Sequence, residues 1–332
     1  MNIKTKFLAA AVAAAGFAAS LPADAQQAIR IGTSSVGSNF YIQGVGVGEV
    51  INKKAGINTS VQAVGGSAAT VRGLGAGKIE FGMANSFAAV TAYRGTYSFK
   101  KSGPVKNRLV VQGGANHRAI VFTSGKGVKS PKDLEGKTFI GKRRPLPELD
   151  LITKAMFKVY GVDASKVKVV GTTNTGQVIK NLIVGSVAGA AVPLGRKAAN
   201  MQKPFTDGAF TFFHPTKAKR DEMLKLLPPL IFGRTFDTDS FVGLKKEIHV
   251  FAMNTLFLTA AGTPDDAVYK VTKAILENTK LMTTYHPELA NWNTGNTLKN
   301  VQLPFHNGAI KYFKEKGLWT PALAAAQKRL LQ

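Results

Sequence analysis

The sequence predicts an α/β protein of two α/β lobes joined by hinge strands, and three observations carry that prediction. From Ile29 onward, short apolar strands alternate with polar loops and helical stretches. The same alternation starts again near Arg118. Two long strand-like segments, 108–124 and 247–262, could take the chain out of one lobe and back. Strands alternating with helices imply parallel β-α-β units with right-handed crossovers. The expected division is a first segment of lobe 1 over 26–115, lobe 2 over 116–250 and a return segment of lobe 1 over 251–332.

The elements follow in order. IRIGTS (29–34) reads as a strand, and the loop VGSNF leads into a helix over 41–54. TSVQAV (59–64) is a strand that turns through Gly65, Gly66 and Ser67 into the helix AATVRGLGAG. FGMAN (81–85) turns at Ser86 into FAAVTAYR. In the second unit RAIVFTS (118–124) is a strand, and Ser130 caps a short helical turn with Pro131 and Asp133 behind it. KTFIGK (137–142) is the next strand, and RRPLPE leads into the helix LDLITKAMFKVYGV. KVKVVG (166–171) passes through TTNTG into QVIKNLIVG, and SVAGAAV (186–192) ends in PLG. The segment 247–262 precedes the helix TPDDAVYKVTKAILENT.

The start of the chain is set apart. Lys4 and Lys6, an Ala-rich apolar run and the small-x-small triplet Ala23-Asp24-Ala25 read as a secretory signal peptide cut after Ala25. The alternative is a retained membrane anchor. No later stretch is long and apolar enough to cross a bilayer, so an exported, soluble mature protein is expected. The 332 residues contain no cysteine, which excludes disulfides, thiol catalysis and Cys-based zinc sites. With 45% hydrophobic residues the chain can bury a sizeable core without them.

The formal charge of +25 favours anionic partners. The basic residues are scattered, with pairs at 53–54, 100–101, 143–144 and 245–246, and no nucleic-acid module is visible. Solvated surface accounts for most of this charge, and no nucleic-acid partner is expected.

In an open parallel sheet, ligands sit beyond the carboxyl ends of the strands. The loops there are 34–40, 65–67 and 85–86. Each enters a helix, so each offers unpaired N–H groups and the positive end of a helix dipole. Glycines let the backbone come close, and Ser67 can both cap a helix and donate to a ligand. Such loops make an anion cradle that needs no catalytic group, cofactor or metal.

Several residues have a plain reading beside a functional one. GVGVG (44–48) lies inside the first helix, so close packing suits it better than a dinucleotide turn. The five histidines form no HExxH or HxH pattern; His117 lies near the expected hinge, and His306 reads as a cap of the last helix. No serine sits in a G-x-S-x-G elbow. Arg143-Arg144 either forms a carboxylate fork at the start of a helix or is an exposed pair, with Glu148 and Asp150 as its partners.

IGTSSVGSNFY, VQAVGGSAATVRGLGAGKIEFGMANSFAAVTAY, KSPKDLEGKTFIG, VGSVAGAAVPLG and LPFHNGAIKYFKEKG together resemble the TAXI family of TRAP-transporter solute receptors. The resemblance spans nearly all of the mature chain and implies a type II periplasmic-binding-protein fold. It implies capture of a small organic anion, such as glutamate, 2-oxoglutarate or a dicarboxylate. It also implies delivery of this anion to a TRAP-type permease, and a monomer is expected. By position the contacts fall on Ser34, Ser35, Asn39 and Tyr41, on Gly66 and Ser67, and on Asn85 and Ser86. The full expected ligand set adds His117, Arg143, Arg144, Thr173 and Pro193. Where the family often has a Gly/Ser-rich turn, this chain has KRRPLPELD (142–150), which points to a carboxylate facing lobe 2. A secreted α/β enzyme acting on a carboxylate, a receptor feeding a sensor and the binding protein of another transporter system remain as alternatives.

Overall fold

The computed structural model describes residues 28–332. The expected signal peptide and its cleavage site lie outside these residues. The strands are β1 (Ile29–Thr33), β2 (Thr59–Ala63), β3 (Phe81–Asn85), β4 (Asn107–Thr123), β5 (Thr138–Lys142), β6 (Lys168–Gly171), β7 (Gly189–Leu194), β8 (Phe210–Phe212), β9 (Phe232–Phe236) and β10 (Ile248–Ala260). They form one sheet in the order β2-β1-β3-β10-β4-β7-β5-β6, with β8 on β4 and β9 on β10.

This order reads alike from both ends. From one end it runs β2-β1-β3-β10, and from the other β6-β5-β7-β4. In each half the first three strands are parallel and the long strand is antiparallel to them. The two lobes are therefore built alike, and β4 and β10 exchange roles between them. Lobe 1 has a core drawn from 29–111 and 256–313, with Ile31, Phe81, Phe257, Trp292 and Phe313 in it. In lobe 2 one cluster contains Phe139 and Met156, and another contains Val121, Phe212 and Val250.

Helices follow the strands as the turns require. In lobe 1, α1 (Asn39–Ala55), α2 (Ser67–Gly75) and α3 (Ser86–Tyr93) succeed β1, β2 and β3. In lobe 2, α4 (Glu148–Val159), α5 (Thr175–Ile183) and α6 (Ala199–Thr206) succeed β5, β6 and β7. Side chains of Ser38, Asn85 and Asn174 cap α1, α3 and α5 by accepting N–H groups of Tyr41, Ala88 and Gln177. Ser130 and Asp133 form the expected capped turn. Then come α7 (Lys217–Lys225), α8 (Asp265–Leu276), α9 (Thr279–Thr283), α10 (Thr294–Thr297), α11 (Asn307–Glu315) and α12 (Pro321–Leu331). The His306 imidazole caps α11 by accepting the Gly308 N–H, so it serves the penultimate helix rather than the last.

The glycines of α1 are packing residues. A Cβ on Gly44, Gly46 or Gly48 would lie 2.5, 2.7 or 2.9 Å from Thr33, Tyr285 or Thr59. Among the described residues, no helix is long and apolar enough to cross a membrane.

The hinge ribbon is made of β4 and β10, paired from Asn107–Ala260 to Arg118–Phe251. Gln112 faces Leu256 and Ala115 faces Asn254, so Gly113 and Gly114 together oppose Thr255 in a β-bulge. Trp292, fully buried, packs on this bulge; a Cβ on Gly113 would lie 2.6 Å from its Nε1.

Candidate functional site

Between the lobes, beyond the carboxyl ends of the strands, lies a chamber of about 40 Å³. Helix starts build its walls. Ser38, Asn39 and Phe40 bring the first turn of α1, Ser67 that of α2, Thr175 that of α5, and Ala198 and Asn200 that of α6. The first amides of a helix have no intrahelical acceptor and carry its positive pole. Four such poles around one space favour an anion.

The floor is the hinge strand β4, which contributes Asn116 and Arg118. Arg118 is 1% exposed. Its Nε donates to Glu148 Oε1 at 2.9 Å and its Nη2 to the same oxygen. Nη1 donates to Asn116 Oδ1 and to the His117 carbonyl. A guanidinium has five N–H groups, so one on Nη2 has no partner among the described residues. Glu148 is fully buried; its Oε1 also accepts the Asn85 amide at 3.0 Å, while Oε2 has no partner among the described residues.

Arg143 of lobe 2 bridges the lobes beside the chamber and holds Thr175 of its wall. Its Nε donates to the Thr173 carbonyl (3.2 Å), Nη1 to Thr175 Oγ1 (2.9 Å), and Nη2 to Ser35 Oγ (2.8 Å) and the Gly65 carbonyl (2.7 Å). Burial, reinforced by the charge of Arg118 and opposed by Glu148, lowers its pKa to about 10, so it is charged at neutral pH. Two guanidinium groups and one carboxylate leave this region with a net charge of about +1, which one carboxylate head group neutralises.

The lobes are in contact around this space. Besides Arg143 and Asn85, the Ala68 N–H donates to the Pro145 carbonyl at 3.1 Å, and the Arg196 N–H reaches Glu288 Oε1 at 3.4 Å. Gly66 (φ +151°) lets α2 press on the Pro145 turn; a Cβ there would sit 3.0 Å from Pro145 Cβ.

Ser34, Asn39, Ser67 and Pro193, expected from the sequence, line the chamber. Ser35, Gly66 and Asn85 make the interlobe contacts beside it. The Ser86 hydroxyl accepts the Asn254 N–H and ties α3 to the hinge. Tyr41 lies within α1, away from the lining.

The expected arginine fork needs correction. The residues after β5 form a tight turn closed by the Leu146 N–H on the Arg143 carbonyl, and the helix starts only at Glu148. That turn folds Arg143 inward, where protein acceptors occupy four of its N–H groups. Arg143 and Arg144 both border a separate open groove with Thr173, and of the two only Arg144 is exposed. Glu148 pairs with Arg118 and Asp150 with Lys154, rather than with Arg143 and Arg144.

Strand alternation turns His117 to the opposite face of the ribbon from Asn116 and Arg118. There burial, then the charges of Arg196, Arg118 and Arg234, lower its pKa to about 3. Asn116 and Arg118 were missed by sequence reasoning. Their i, i+2 spacing on a long strand is the signal that could have found them.

An outer groove of about 730 Å³ adjoins the chamber through Asn39, Ala198 and Asn200, and adds Ile42, Ala199 and Pro287. Among the described residues, no group of three or more His, Asp or Glu side chains could hold a metal ion.

A model of the NMT1-like family matches residues 31–317. Among solved structures, PhnD1 from Prochlorococcus marinus in complex with methylphosphonate is 9% identical, with a TM-score of 0.55 over 88% of this chain and 99% of that one. A structure described as a periplasmic transporter is 15% identical, with a TM-score of 0.53 over 91% and 97%. A protein from Bordetella bronchiseptica is 14% identical, with a TM-score of 0.51 over 87% and 81%. Identities this low speak for the fold: the two-lobed, type II arrangement of periplasmic binding proteins.

Proposed function

This chain belongs to the NMT1-like family, and on that premise we propose that it is a periplasmic solute-binding receptor of the TAXI type. In this reading it captures a small organic anion between its lobes and delivers it, unaltered, to a TRAP-type permease. The observation that carries the reading is the convergence of four helix starts and the buried Arg118 on one chamber shared by both lobes. The chamber offers hydrogen-bond donors, with no nucleophile paired to a base along its lining.

Charge and size narrow the ligand. The net charge of about +1 matches one carboxylate head group, and 40 Å³ holds a head group rather than a whole five-carbon diacid. The remainder of the molecule would lie toward the outer groove beside Ile42 and Ala199. Binding favours the closed form because only there do both lobes touch the ligand.

Isothermal titration against glutamate, 2-oxoglutarate, succinate and short monocarboxylates tests the reading. For at least one of these ligands, the binding isotherm is expected to lose a saturable component in an Arg118→Met/Glu148→Gln double variant. Absence of binding across the panel, or turnover of a bound carboxylate, would overturn it.

A further inference from the structure

On the face of the hinge ribbon opposite the ligand chamber lies a second space of about 430 Å³, which borders the outer groove through Arg196, Glu288 and Asn291. Ala115 and His117 point into it, while Asn116 and Arg118 point into the first. Both lobes line it: Gln43 and Lys299 from lobe 1, Arg196 and Arg234 from lobe 2. Gln112, on the hinge itself, holds the Lys299 loop in place by donating to the Asn296 and Lys299 carbonyls at 2.8 and 2.9 Å.

The charges here are unevenly matched. Arg196 is paired with Asp237 at 2.8 Å. Glu288 accepts hydrogen bonds from Asn39 and Gln43. Arg234 and Lys299 have no carboxylate partner among the described residues. His117 is 8% exposed, and its ring stands edge-on to Phe236 with centroids 4.6 Å apart. Neither ring nitrogen has a hydrogen-bond partner among the described residues, and neither is among the buried unpartnered atoms, so the ring nitrogens are open to the space and to a ligand in it.

We propose that this space is a second binding site, for a compact dicarboxylate that joins Arg234 of lobe 2 to Lys299 of lobe 1 and hydrogen-bonds His117. Two cations from opposite lobes without a carboxylate, Arg234 being stacked on the Phe232 ring at 4.6 Å, call for two anionic groups, and the volume admits a four-carbon diacid. An occupant touching both lobes stabilises their contact, so the two sites are coupled reciprocally. The charges that define this site do not depend on which anion the first chamber takes.

The test follows the His117 ring resonances, assigned by their loss in His117→Gln, during titration with succinate and with sodium chloride at matched ionic strength. Succinate should give a saturable shift that chloride does not. Arg234 and Lys299 are exposed, so the R234A/K299A double variant keeps the fold and should weaken the apparent affinity at least tenfold. The R118M/E148Q variant, substituted on the other face of the ribbon, should still give a saturable shift, from a starting position displaced by loss of the guanidinium bonded to the His117 carbonyl. No saturable shift, an equal shift with chloride, survival in R234A/K299A, or loss in R118M/E148Q would each overturn the proposal. Failure of binding in the first chamber alone would leave the shift intact and so reads separately.

Discussion

Arg118 on the hinge strand and Glu148 at the start of α4 form an ion pair buried to 1% and 0% exposure, with Nε 2.9 Å from Oε1. Asn85 of the other lobe donates to the same carboxylate oxygen at 3.0 Å. One carboxylate thus orients the cationic floor of the chamber and registers whether the lobes are closed.

Breaking this pair on one side strands a buried charge. Arg118→Ala is expected to cost about 3–5 kcal/mol of stability, because Glu148 loses its counter-charge. Removing both charges in R118M/E148Q should cost far less; the net charge near the chamber stays about +1, but the Arg118 Nη2 donor is gone, so anion binding in the chamber should still be lost. Urea denaturation and titration calorimetry on the same three proteins separate the two effects. Equal destabilisation in the single and double variants would count against the account.

Arg143 and Arg144 should behave differently despite being neighbours. Arg143→Ala removes the bonds to Ser35 and Gly65 that tie the lobes together. The expected loss of ligand affinity is about tenfold to a hundredfold, for roughly 1.5–3 kcal/mol of charged hydrogen bonding. Arg144→Ala, at an exposed position facing another groove, should leave affinity within twofold. Matching losses in both variants would contradict this placement.

Gly66→Ala should disfavour lobe closure without unfolding either lobe. The added Cβ meets Pro145 at 3.0 Å across the lobe interface, and φ of +151° strains any side chain. Small-angle scattering of the variant with saturating ligand should report a larger radius of gyration than for the parent chain. An unchanged radius and affinity would remove Gly66 from the closing surface.

Acid should destabilise the protein through His117. Its folded pKa of about 3 lies below the ordinary value of 6.5, so between these the unfolded chain binds a proton that the folded chain does not. Stability contributed by the neutral ring is therefore full above pH 6.5 and falls as pH drops toward 3, by up to about 1.4 kcal/mol per pH unit. His117→Gln should flatten this slope. Urea midpoints at pH 7, 6, 5 and 4 give the comparison, and parallel profiles for the two proteins would show that another group is responsible.

Trp292→Ala should cost about 3–5 kcal/mol, because the indole fills the hinge bulge over Gly113 and packs edge-on to Phe257. Thermal unfolding measures it. A loss under about 1 kcal/mol would mean that the bulge repacks.

The alternation of strand and helix was legible because each element carries its own period and its own caps. Ile29–Thr33, Phe81–Asn85 and the turns at Ser130 and Ser67 stand close to where patterning put them. The stretch from Ala199 to Phe236 was not legible. Its elements are short, and α7 buries little beyond Arg220 and Met223, so no apolar period announces it. Ser34, Asn39 and Ser67 could be read as chamber residues because a loop entering a helix advertises its amides locally.

By itself, then, the sequence determined the α/β class, the paired lobes and the donor-rich loops at the strand ends, since all of these are set by neighbours in the chain. Only tertiary structure decided which charges gather at the chamber between the lobes. Arg118 and Glu148 are 30 residues apart, and Arg143 reaches Ser35 across 108. Whether a guanidinium serves a ligand or another part of the protein depends on which carboxylates and carbonyls folding brings beside it, and no local pattern encodes that meeting.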